Sequence, residues 1–123
     1  GEKVIITFVP HLLPVNRGIL ATVYADIKDG VTFEQIRKAY EDFYKDEFFV
    51  RLLDDGKCAD IHNIKYSNFC DVSIHHDKRA NKLVACAAID NMVKGATGQA
   101  IQNMNIIFGL DEKTGLVIVP PAF

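Results

Sequence analysis

Residues 69–100 read FCDVSIHHDKRANKLVACAAIDNMVKGATGQA. Phe69 to His75 and Lys82 to Ile89 are two strand-like runs, separated by the charged His76-Asp77-Lys78-Arg79-Ala80-Asn81. That pattern predicts a hairpin. Directly behind it the second strand ends in Asp90-Asn91, and a helix is expected from near Gly95 to Phe108, with Gly109 as its cap. Ala100, Ile101, Met104 and Ile107 recur on one face of that helix.

Toward the N-terminus, Phe48 to Leu53 is a short strand and Asp54 to Asn63 a polar loop containing Gly56. Thr32 opens an earlier helix, with Gln35 three residues later completing a capping box. Phe33, Ile36, Tyr40 and Phe43 give that helix an apolar stripe through about Lys45. Lys28-Asp29-Gly30 is a turn, and Gly18 to Ile27 (GILATVYADI) is a strand with apolar residues on both faces, as in a strand covered on both sides. Lys3 to Val9 is a further β-branched strand, closed by the Pro10 to Pro14 segment. Toward the C-terminus, Leu116 to Val119 reads as a last short strand stopped by Pro120-Pro121. The order β-β-α-β-β-β-α predicts an α+β fold: a mixed, largely antiparallel sheet with helices packed on one face.

Composition narrows the function. In 123 residues, hydrophobic side chains make up 49% and charged ones 24%, within the range of soluble globular domains. Fourteen basic against sixteen acidic residues leave a net charge of −2, which argues against a nucleic-acid binder that works by neutralising phosphates. The longest apolar run, Val4 to Val15, is interrupted by Thr7, Pro10, His11 and Pro14 and is too short to cross a bilayer. Cys58, Cys70 and Cys86 have no C-x-x-C spacing, so free thiols in a reducing cytoplasm are expected, with no disulfide framework and no zinc site. His75 and His76 are neighbours on a strand and point to opposite faces, so they do not share a metal. No nucleotide-binding glycine motif, P-loop or nucleophile elbow is present.

Two segments exceed what a plain core needs. Pro10 to Gly18 (PHLLPVNRG) places the imidazole of His11, the amide of Asn16 and the guanidinium of Arg17 in one proline-stiffened loop. Arg17 has a fork suited to carboxylate or phosphate, or is simply an exposed surface arginine. Asp90 to Gln99 (DNMVKGATGQ) ends a strand and begins a helix with small residues, where a ligand or a neighbouring strand can come close to backbone N–H groups. Close helix–sheet packing with an Asp or Asn cap accounts for the same residues.

These segments resemble N-acetyl-gamma-glutamyl-phosphate reductases. The matching stretches are FVPHLLPVNRGILATVYA (Phe8 to Ala25), FFVRLL (Phe48 to Leu53), SNFCD (Ser67 to Asp71) and AIDNMVKGATGQAIQNMNIIFGLDE (Ala88 to Glu112). Two positions depart from the family: Val9 stands where Thr is frequent, and Tyr66 where Gly usually precedes Ser-Asn. The resemblance implies a two-domain enzyme of arginine biosynthesis. In it a Rossmann domain binds NADPH, and a cysteine in a Gly-Cys-Tyr-Pro-Thr motif attacks N-acetylglutamyl phosphate. The resulting thioester accepts hydride and releases the semialdehyde and phosphate. Neither that motif nor the family's His-Arg-His-Thr-Pro-Glu segment occurs here. Residues 1–123 are therefore expected to be one domain, the C-terminal substrate-binding and dimerisation part, inactive alone and lacking both the catalytic Cys and the N-terminal NADP-binding domain.

By the same resemblance, Asn91 matches the asparagine that holds the nicotinamide carboxamide in related semialdehyde dehydrogenases. Lys94 and Gly95 lie beside it as cofactor-binding candidates, and His11, Asn16 and Arg17 match a loop facing the substrate. A homo-oligomer, dimer or tetramer, is implied. Aspartate-semialdehyde dehydrogenase is a rival within the same chemistry, since it also carries an Asp-Asn…Lys-Gly-Ala segment. A non-catalytic dimerisation or ligand-binding module of the same shape is a rival from another class. Pro10-His11-Leu12 and Gln102-Asn103-Met104-Asn105 favour the acetylglutamyl enzyme.

Overall fold

The computed structural model describes residues 3–118. Its elements are β1 (Ile19–Asp26), α1 (Phe33–Tyr44), β2 (Val50–Leu52), β3 (Cys70–Asp77), β4 (Lys82–Ile89), a π-helical turn (Val93–Thr97) and α2 (Gly98–Ile107). The four strands form one sheet in the order β1-β4-β3-β2. β1 and β3 both run antiparallel to β4, and β2 runs parallel to β3, so the sheet is mixed and largely antiparallel.

The hairpin forms with Asp77 opposite Lys82, which lengthens β3 by two residues beyond the sequence boundary and leaves Lys78–Asn81 as the loop. His75 and His76 do face opposite sides. His76 stacks on Phe33 of α1, with ring centroids 5.5 Å apart, while His75 Nε2 lies 3.2 Å from Ser73 Oγ. The faces divide accordingly. α1 and the π-turn lie on the side carrying Cys70, Val72, Ile74 and His76. The 53–64 loop covers the other side, where the Ala59 N–H donates to Ser73 Oγ and Ala59, Ile64 and Ala88 pack together. The capping box of α1 is present, with the Gln35 N–H donating to Thr32 Oγ1 and the Thr32 N–H to Gln35 Oε1.

Four sequence expectations need correction. Lys3 to Val9 joins no ladder: β-branched residues favour an extended backbone, but a strand also needs a partner, and this run stays exposed. Leu116 is buried but lies in a turn, and Val117 and Ile118 pair with no strand; Val119 lies outside the described residues. β1 is not covered on both sides but is an edge strand, with Val23 58% and Tyr24 68% exposed. Apolar patterning reports a surface able to be buried, and no element among the described residues covers it.

The fourth concerns α2, which begins at Gly98 behind the π-turn, and whose buried face is the polar one. Gln102 and Asn105 are buried, while Met104 and Ile107 are exposed. Each polar group has a partner that makes burial tolerable. Gln102 accepts from Asn68 Nδ2 at 2.9 Å, and Asn105 Nδ2 donates to the Glu112 and Thr114 carbonyls, holding the C-terminal turn in place.

Candidate functional site

The register of β1 on β4 builds the site. Ile19 stands opposite Ile89, so Arg17-Gly18, just before β1, meets Asp90-Asn91, just after β4. The two segments that stand out in the sequence thus form one corner, although 73 residues separate them.

Asp90 is its centre, with a side chain 0% exposed. Arg17 donates to it twice, from Nε to Oδ2 at 2.8 Å and from Nη2 to Oδ1 at 3.0 Å. Oδ2 also accepts from the Tyr66 N–H at 2.7 Å, and Oδ1 from the N–H groups of Met92 and Val93 at 2.8 and 3.0 Å. Burial pushes the Asp90 carboxyl up, but Arg17 and those three backbone donors outweigh it and hold the pKa at about 2. The face of the Arg17 guanidinium lies 4.3 Å from the centroid of the Tyr66 ring.

Tyr66 has φ 60°, in the left-handed region. A glycine pays no steric penalty in that conformation, whereas a side chain does, so the usual glycine of the resembling family suits the backbone and the tyrosine adds the stack on Arg17.

Asn91 is half-buried, and its Oδ1 accepts from the Gly18 N–H at 2.8 Å. Its Nδ2 makes no hydrogen bond among the described residues. With the oxygen fixed, the amide presents two donors away from β1. Gly18 itself has φ +114°, and a Cβ there would come 2.7 Å from Ile61 Cβ, so only glycine fits.

Beside the corner is a cleft of about 260 Å³ lined by Val15, Asn16, Arg17, Ile61, Lys65 and Tyr66. Lys65 escapes notice in the sequence because nothing local marks it, Tyr66 is marked there only as a departure from the family glycine, and only the fold brings the two to Arg17. A cleft of about 300 Å³ between α1 and β2 is slightly larger, but its Arg37 and Glu41 are already paired at 2.8 Å.

The other candidates lie differently. His11 is exposed, with Nδ1 3.2 Å from the Val9 carbonyl, and does not line the cleft. Lys94 turns inward: its ammonium donates to Gln102 Oε1 at 2.7 Å, lies 5.6 Å from the Phe49 ring centroid, and has its pKa lowered by burial. The Gly95 N–H is taken by the Asp90 carbonyl at 2.9 Å. The three cysteines are free, and the Cys58 thiol comes within 3.9 Å of His75 Nε2, further along β3.

Residues 1–91 match the family model described as semialdehyde dehydrogenase, dimerisation domain. The chain belongs to that family. This dimerisation domain is 55% identical, over its whole length, to the N-acetyl-gamma-glutamyl-phosphate reductase of Brachyspira hyodysenteriae, of which it spans 35%. It is 53% identical over 99% of its length to the enzyme of that name from Clostridium kluyveri, spanning 36% of it. The chain thus spans about a third of the length of the curated relatives it matches. In fold it is similar to aspartate semialdehyde dehydrogenase II of Vibrio cholerae, with a TM-score of 0.59 and 17% identity over 78% of this chain and 28% of that one. No helix among the described residues is long and apolar enough to cross a membrane, and no group of three potential metal ligands occurs among them.

Proposed function

We propose that residues 1–123 form the C-terminal substrate-binding and dimerisation domain of an NADP-dependent N-acetyl-gamma-glutamyl-phosphate reductase of the cytoplasm. The reaction is reductive dephosphorylation of N-acetylglutamyl phosphate to the semialdehyde. The NADP-binding Rossmann domain and the thiol nucleophile belong to the remainder of the longer polypeptide. The observation that carries this reading is the Arg17–Asp90–Asn91 corner, in a chain about half identical to reductases of that name.

NADPH, when bound, supplies the hydride. The corner fits the nicotinamide end of that cofactor: a primary amide with its oxygen held by Gly18 aims N–H donors at a carboxamide oxygen. A nicotinamide held there by its carboxamide would be restrained from rotating, which is the orienting role Asn91 would supply. In the adjoining cleft Asn16 and Lys65 offer an amide and an ammonium to the acyl phosphate. His11 stands at the outer side of the same loop. Lys94 and Gly95 shape the turn behind Asn91, beside the proposed cofactor contact. The uncovered β1 strand supports assembly as a homo-oligomer.

Asn91→Ala in the complete reductase tests the cofactor contact. Catalytic efficiency is expected to fall ten- to a hundredfold, about 1.4–2.7 kcal/mol, mostly through the NADPH KM. Loss of the Gly18 bond costs about 1 kcal/mol of stability. Normal NADPH kinetics with only that stability loss would reduce Asn91 to a structural cap.

A further inference from the structure

Arg17 and Asn91 are linked through parallel contacts. Arg17 donates twice to Asp90, and the next residue, Gly18, donates to the next residue, Asn91. The guanidinium therefore has one edge on a buried carboxylate and one face on Tyr66, and its side chain is only 20% exposed. Asp90 in turn gathers three segments: the start of β1 through the Arg17 guanidinium, the 64–68 turn through the Tyr66 N–H, and the entry to the π-turn through the Met92 and Val93 N–H groups. Asn91 sits between two of these, so its amide direction depends on all three staying in register.

We infer that Arg17 is a positioning residue for Asn91, acting through Asp90, and not a ligand of the substrate. This rests on the reading of Asn91 as the cofactor contact. A planar fork suits the role, because Nε and Nη2 span both carboxylate oxygens and fix the angle between β1 and the end of β4. A lysine is a point charge that meets Asp90 without setting that angle. Removal of the guanidinium leaves Asp90 buried with backbone donors from only two of the three segments, and the β1 start loses its tie.

The test is steady-state kinetics of the complete reductase with Arg17→Ala, Arg17→Lys, Asp90→Asn and Asn91→Ala, varying NADPH and acyl phosphate separately. Arg17→Ala and Asp90→Asn are each expected to raise the NADPH KM about tenfold, like Asn91→Ala, with the acyl-phosphate KM within twofold of wild type. Arg17→Lys should recover part of the loss. Arg51→Ala is the structural control: it breaks the Arg51–Asp71 pair, 2.6 Å long and also with a buried carboxylate, and should lower the melting temperature while both KM values stay within twofold. If Arg17→Ala is insoluble, Arg17→Lys and Asp90→Asn carry the comparison. A raised acyl-phosphate KM with normal NADPH KM overturns the inference and makes Arg17 a substrate ligand. Normal NADPH KM in the Arg17 and Asp90 variants, with a raised one in Asn91→Ala, overturns it while the cofactor reading stands. Normal NADPH KM in Asn91→Ala overturns both.

Discussion

At the residue scale, Asp90 ties the site to stability. Its ordinary pKa is 3.8 and its folded value about 2, so its contribution is fully present above about pH 4 and is lost as pH falls through 2. For this carboxylate without solvent contact the difference amounts to on the order of 2 kcal/mol. Denaturant unfolding between about pH 5 and pH 2 should show a steeper acid loss in the wild type than in Asp90→Asn, and parallel curves would contradict it. The sequence marked Asp90 and Arg17 as chemically capable but not as partners. Arg17 reads equally as a ligand fork or a surface charge until the β1–β4 register places it on a buried carboxylate. Tyr66 was legible only as a departure from a family glycine, and its positive φ explains why glycine suits that position.

At the element scale, the hairpin, the capped α1 and the small residues after Asn91 were readable because each rests on local chemistry: a turn, a reciprocal hydrogen bond, a close approach. Three readings failed because they depended on what lay opposite. Lys3 to Val9 has strand residues without a partner strand, and β1 has two apolar faces without a cover. The helix α2 buries Gln102 and Asn105 because Asn68 and the 112–114 backbone supply their hydrogen bonds, which no helical periodicity reveals. Two glycines, Gly95 inside the π-turn and Gly98 just after it, separate packing from ligand access. A Cβ on Gly98 would come 2.8 Å from the Val93 carbonyl oxygen and would also strike Asn68 Oδ1, so Gly98→Ala should cost roughly 1–3 kcal/mol. At Gly95 the nearest atoms would be 3.5 Å away, ordinary contact, so Gly95→Ala should leave stability unchanged or slightly raised. Thermal melts of the two variants compare them directly. Equal losses would mean that the turn is tight throughout.

At the scale of the whole molecule, the sheet is unfinished on the β1 side. Ile19, Leu20, Val23 and Tyr24 are all exposed, and they point to both faces of one edge strand. Such a surface favours a second copy of the chain. Sedimentation at high micromolar concentration should therefore show a species heavier than 13.7 kDa, and Val23→Lys should shift it toward the monomer. A monomer throughout would count against assembly through β1. The same incompleteness underlies the functional reading, in which this domain orients cofactor and substrate while the nucleotide fold and thiol come from elsewhere in the polypeptide. The most direct measurement is NADPH oxidation with N-acetylglutamyl phosphate, run on the complete polypeptide and on residues 1–123 alone, with aspartyl phosphate as the competing substrate. The account predicts turnover of N-acetylglutamyl phosphate by the complete polypeptide, little or none of aspartyl phosphate, and only the buffer rate for residues 1–123. Turnover by residues 1–123 alone, or preference of the complete polypeptide for aspartyl phosphate, would contradict it.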